Sequence, residues 1–211
     1  MNRPLIPFAD YQRIYQSIYS ILRSEKADVG ISCLYFSVFG ARILKEYYKI
    51  DAKPVAGIAA YKIGNGEDDQ MLFGDVNGDT LECTLGGFHA WIQADGWLID
   101  FAAPVFPELI KARGVKIPCV PKMLQKELGG MATSLNELNN IGDFFLEVDT
   151  DVVDQHLQLF SSIPVNMDLA VICCEWYRRP PKKMQKDKPI QDLNGNINHV
   201  SLCGPPLVGV L

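Results

Sequence analysis

Between Phe8 and Leu22 the apolar residues Tyr11, Ile14, Tyr15, Ile18, Tyr19 and Leu22 recur at spacings of three and four. That period puts them on one face and predicts an amphipathic helix, with Asp10 near its start. Ser24 to Gly30 is polar and closes on a glycine, so it reads as a loop. A second helix is predicted from about Cys33 to Tyr48. Its apolar residues, among them Leu34, Phe36, Val38, Phe39, Ile43 and Leu44, point all round the axis until the charged last turns. A helix of that kind is buried on most sides and is expected at the centre of the fold.

After Pro54 the period changes. The runs Val55 to Ile63, Met71 to Val76, Gly87 to Ala94 and Trp97 to Ala102 are β-type, separated by Gly64-Asn65-Gly66, Asn77-Gly78-Asp79 and Asp95-Gly96. Together they predict an antiparallel meander. Phe106 to Ala112 reads as a short helix, and Met123 to Asn140 keeps no single period and is broken at Gly129-Gly130. Phe144 to Val148 and Leu169 to Tyr177 read as two further strands, with a helix from about Val152 to Phe160 between them behind the caps Thr150 and Asp151. The class is α+β.

A chain of 211 residues with 48% hydrophobic residues can build one sizeable core. Its 20 basic residues against 25 acidic ones leave a net charge of −5, which does not favour binding to nucleic acid phosphates. The charge is uneven. Arg178, Arg179, Lys182, Lys183, Lys186 and Lys188 against Asp187 give a segment of +5, and the rest sums to −10. Residues 1–177 are therefore read as a single domain and 178–211 as a basic, proline-containing extension that faces solvent or a partner, with Asn194-Gly195 as a hairpin turn. The six cysteines are too irregularly spaced for a disulfide scaffold, the start lacks the apolar run of a signal peptide, and the longest uncharged stretch, Val29 to Ala41, is well short of the roughly 20 residues that cross a bilayer. These features predict a cytoplasmic protein with reduced thiols and no membrane span. Oligomeric state is left open.

Chemistry concentrates in Phe88 to Phe101. Asp95-Gly96 favours a two-residue type I′ turn, which pairs Ala94 with Trp97 and sets Trp91 opposite Asp100. His89 then shares a face with Asp100, one diagonal step away, about 7–8 Å between backbones and within reach of a carboxylate. Such a pair can be a buried structural histidine. Cys33 changes the balance: it follows Gly30-Ile31-Ser32 and opens the apolar helix, where free backbone N–H groups and the helix dipole favour a thiolate. With the helix end against the hairpin, Cys33 is the nucleophile, His89 the base and Asp100 the group that orients and charges the imidazole. The Cys33 amide is one oxyanion donor; Gln16 is a candidate for the second, with Gln12, Tyr19 and a group beside Trp91 left open.

Other motifs carry less. Asp75 to Thr80 resembles half a calcium loop, but Thr80 stands where glycine is needed, so it reads as a turn. Cys173-Cys174 reads as packing in an apolar strand, and Cys83, Cys119, Cys203, His156 and His199 lack zinc spacing. No metal or cofactor is expected.

The block from Gly30 to Tyr61, with its cysteine-led helix and Ile50-Asp51-Ala52-Lys53-Pro54-Val55-Ala56-Gly57, resembles the nucleophile block of transglutaminase-like proteins. His89-Ala90-Trp91 and Trp97-Leu98-Ile99-Asp100 are similar to the His and Asp strands of the same superfamily, in the same order. Within the wider papain-like group the chain also resembles a small uncharacterised bacterial family. The resemblance covers roughly residues 28 to 105. It implies a papain-like core, in which the cysteine-bearing central helix packs on an antiparallel sheet, and a cysteine hydrolase or acyltransferase acting on an amide or thioester, peptides included, through an acyl-enzyme. Leu34 departs from the polar residue usual in transglutaminases, and no Arg-Gly-Gly precedes Cys33 as in arylamine N-acetyltransferases, so neither substrate carries over. Two other functions compete: a non-catalytic module that binds a peptide or protein in the same cleft, and a redox-responsive protein in which Cys33 is reversibly oxidised.

Overall fold

The computed structural model describes residues 4–78, 80–192 and 194–211. Helix α1 (Phe8–Ser24) buries Tyr11, Ile14, Tyr15, Ile18 and Leu22, the face its periodicity marks. It stops where Lys26 takes a positive φ of 58°. A short 3₁₀ turn, Val29–Ile31, leads into α2 (Cys33–Ile43), which a π-helical turn at Leu44–Tyr48 continues. α2 buries Phe36, Phe39, Ala41 and Ile43 and is the central helix.

The main sheet is antiparallel and built around the long strand β1 (Lys53–Lys62). Gly57 pairs with both His89 of β5 (His89–Ala94) and Val148 of β8 (Phe144–Val148), so these two strands lie on opposite edges of β1. Ala59 pairs with both Leu146 of β8 and Phe73 of β2 (Gln70–Phe73). β2 and β5 therefore share one edge of β1, end to end. β6 (Trp97–Asp100) and β7 (Leu124–Glu127) extend the sheet beyond β5. Of the expected meander, β1 with β2 and β5 with β6 pair as consecutive antiparallel strands, whereas β2 does not pass directly to β5, and β7 comes from the segment that keeps no single period. Between them the chain leaves the sheet and makes a small hairpin, β3 (Asp75–Asn77) with β4 (Thr80–Glu82), where the half calcium loop was noted; its Asp79 lies outside the described residues.

Helices pack on both sheet faces. α2 packs with Ala90, Ile92, Ile99 and Phe101, while Tyr61, Phe73, Trp91 and Leu98 face a second apolar cluster together with α3 (Phe106–Ala112). α4 (Thr150–Ser162) is capped by Asp149, whose carboxylate accepts from the amides of Asp151 and Val152. The segment expected as a last strand is instead helical: α5 (Pro164–Trp176) starts on Pro164 and meets α4 at 89°. Its run Leu169-Ala170-Val171-Ile172-Cys173-Cys174 is uniformly apolar, a pattern that a buried helix and a buried strand share. The class is α+β, and among the described residues no single helix is long and apolar enough to cross a membrane.

The C-terminal segment folds back on the body. β9 (Asp187–Gln191) and β10 (Ile197–Ser201) form a hairpin beside α1, and Val200 and Leu207 are buried in the main core. The Cys203 amide donates to Ser20 Oγ at 2.8 Å, and Trp176 Nε1 donates to the Gln185 carbonyl at 3.0 Å. Several of its cations are engaged: Arg179 stacks over Tyr48 at 4.5 Å and Lys188 pairs with Glu175 at 3.6 Å.

Candidate active site

The β5–β6 turn sets the register. Asp95 and Gly96 both have positive φ, 49° and 79°, the signature of a type I′ turn, and Ala94 pairs with Trp97 as expected. His89 and Asp100 consequently share a face with Trp91 and Leu98. His89 Nε2 lies 2.7 Å from Asp100 Oδ2, with each residue 1% exposed. The other carboxylate oxygen accepts from the Ala102 amide at 2.9 Å, and Tyr11 donates its hydroxyl to the Asp100 carbonyl. Asp100 is thereby fixed at both ends.

An aromatic cage surrounds the imidazole. Phe73 stacks on it at 4.1 Å, and Tyr61, Phe106 and Trp91 stand at 5.9, 6.0 and 6.4 Å. Burial alone would push this ring toward its neutral form. The Asp100 carboxylate, by charge and hydrogen bond, outweighs burial, and Cys33 acts in the same direction, so the His89 pKa is raised to about 10. With Nε2 taken by Asp100, Nδ1 is the nitrogen left for Cys33. It is buried and makes no hydrogen bond of ordinary geometry, with the thiol close enough to favour the protonated ring. Tyr61 completes the group. Its phenol, fully buried next to Asp100, is pushed well above its usual pKa by burial first and by that carboxylate second, and stays neutral.

Cys33 and His89 belong to opposite sides of the sheet. They meet because each is the first residue of its element, α2 and β5. Ser32, at the N-cap of α2, donates its hydroxyl back to the Asp28 carbonyl at 2.6 Å and does not cap the helix, so first-turn amides stay available to an anion. Cys33, 8% exposed, opens onto a cleft of about 220 Å³ lined also by Phe73, Asp75, Gly87, Phe88 and Arg113. This cleft sits at the mouth of the excursion that separates β2 from β5.

Gln16 is elsewhere. Its Nε2 donates to the Gly204 carbonyl at 3.4 Å and its side chain lines a separate groove with Phe8, Lys183 and Leu202, because its position on α1 faces the C-terminal segment. Gln12 accepts from the Leu207 amide at 3.4 Å, and Tyr19 donates to Glu108 at 2.9 Å. Arg113, Phe73 and Tyr61 carry no local signal in the sequence; only their place in the fold brings them to Cys33 and His89. Among the described residues no three His, Cys, Asp or Glu side chains gather as a metal site.

Residues 7–210 match the family model described as "Protein of unknown function (DUF2026)". The chain belongs to this family. The DUF2026 chain is also similar to the crystal structure described as that of "genomics APC5867", with 36% identity, a TM-score of 0.89, and coverage of 100% of this chain and 99% of the other. No curated protein matches the DUF2026 chain.

Proposed function

We propose that the protein is a cysteine-dependent hydrolase or acyltransferase with a papain-like core, acting on an amide or thioester through an acyl-enzyme. The observation that carries this reading is the buried His89–Asp100 pair, 2.7 Å apart, with Nδ1 left unpaired beside Cys33 at a helix start. The resemblance of the three motifs to transglutaminase-like proteins supports it. In this mechanism the Cys33 thiolate attacks the carbonyl carbon, the S–C bond forms, and the carbonyl electron pair moves to oxygen beside the free amides of α2. Collapse expels the amine, which takes a proton from His89 Nδ1. Water, or an acceptor amine, then attacks the thioester and gives a proton to His89; the acid or new amide leaves and the thiolate is restored. Asp100 holds the imidazole in register and stabilises its charged form throughout.

Alkylation by iodoacetamide across pH, followed residue by residue, tests the pair. Cys33 is expected to react near neutral pH faster than the other five cysteines, and His89→Ala to slow it by about tenfold or more. Equal, slow alkylation in both proteins would instead identify a binding module that keeps the fold without the chemistry.

A further inference from the structure

Two side chains bring full charges to the cleft that Cys33 opens onto, Asp75 and Arg113. They are not equivalent. Asp75 is committed to the loop: one oxygen accepts from Thr84 Oγ1 at 2.5 Å, the same hydroxyl accepts from the amides of Gly86 and Gly87, and a Cβ on Gly87 would stand 2.2 Å from the other Asp75 oxygen. The carboxylate therefore packs directly on the backbone it holds. Arg113, the C-cap of α3, has only neutral partners. Its Nη1 donates to the Leu72 carbonyl at 3.2 Å, and its guanidinium lies 5.6 Å over Phe73, the ring that stacks on His89. Among the described residues no carboxylate forms an ion pair with it.

An exposed guanidinium, anchored by a carbonyl and an aromatic face, is a preorganised fork for a carboxylate. The guanidinium lines the cavity that Cys33 opens onto, where on the proposed mechanism the acyl group sits. The cavity, about 220 Å³, suits a small acyl group and not a folded domain. We infer that Arg113 is a specificity residue and that the substrate is an amide or thioester whose acyl part carries a carboxylate close to the scissile bond. This rests on the cysteine reading above and names the substrate class for that site.

Iodoacetate and iodoacetamide separate the two claims, since they place the same reactive carbon at Cys33 with and without a carboxylate. The measurement is the ratio of their rates at Cys33, read by peptide mass spectrometry, in the wild-type protein, Arg113→Ala and Arg113→Lys, so that any general effect of a variant cancels. Arg113→Ala is expected to lower the iodoacetate/iodoacetamide ratio about fivefold, Arg113→Lys, which keeps the charge and loses the fork, to restore only part of it, and high salt to lower the wild-type ratio toward that of Arg113→Ala. Fast alkylation of Cys33 with the same ratio in all three proteins would overturn the role of Arg113 and leave the cysteine reading standing. Slow alkylation of wild-type Cys33 by both reagents would overturn the cysteine reading, and this inference with it.

Discussion

Two apolar helices, α2 and α5, pack against each other in the core; α2 contributes one buried cysteine, Cys33, and α5 two, Cys173 and Cys174. Cys33 is the first residue of α2; it borders a cleft and the His89 imidazole, whose pKa Asp100 raises, with uncapped first-turn amides around it. Cys173 lies deep in α5, 0% exposed, where burial first and neighbouring Cys174 second push its thiol well above the ordinary value. Residue type and burial are nearly the same. The difference is place along the helix: a first-turn side chain meets free N–H groups and a neighbouring element, whereas a mid-helix one meets only packing.

The strongest test of that contrast is chemical. Cys33→Ala is expected to abolish the fast-alkylating thiol entirely, and Cys173→Ala to leave it at full stoichiometry, as intact-protein mass spectrometry would count. Labelling carried by any of the other cysteines would break the comparison.

A pH series sharpens it next. The His89 pKa of about 10 in the folded protein lies above the 6.5 of a free imidazole, so the stability it contributes is complete below pH 6.5 and is lost as pH rises through 10. Denaturant unfolding is expected to show that decline in the wild type and a flatter profile in Asp100→Asn, which lacks the main charge that raises the ring. Amide turnover is expected to fall over the same alkaline range, because the amine leaves with the His89 proton.

Smaller effects concern packing. A Cβ on Gly40 would stand 2.4 Å from Phe101 Cδ2, so Gly40→Ala is expected to cost about 1–3 kcal/mol in chemical denaturation and to slow Cys33 alkylation by lifting α2 off the sheet. Cys173→Ser, which puts a hydroxyl into an apolar site, is expected to cost about 1–2 kcal/mol. Cys33→Ser is expected to cost less, since it faces the cleft.

The central helix, the β5–β6 register and the shared face of His89 and Asp100 were legible in the chain because they depend on local rules: a 3.6-residue period, a two-residue Asp-Gly turn and strict alternation along a strand. α5 is helical where a strand is expected, because its apolar run carries no period to distinguish helix from strand. Its cysteines are packing residues all the same, as helical neighbours and not as residues on opposite faces of a strand. Gln16 and Arg113 show the other boundary. Gln16 lies on a helix whose neighbour, the returning C-terminal segment, only tertiary structure reveals. Arg113 is brought to Cys33 by contacts across the fold, from the C-terminus of α3 to the end of β2, that leave no local trace in the sequence.

β2 and β5 share one edge of β1, and the chain between them leaves the sheet at Gly74 and returns at Phe88. The two ends of that excursion wall the cleft, while His89 and Asp100 are held by strand pairing and by a turn at the far end of the hairpin. On the proposed function, the catalytic pair and the cleft wall are thus written in separate parts of the chain. Related proteins could lengthen, shorten or recharge the Gly74 to Phe88 excursion, and so change which acyl groups are admitted, without re-registering the strands that hold the histidine and its carboxylate.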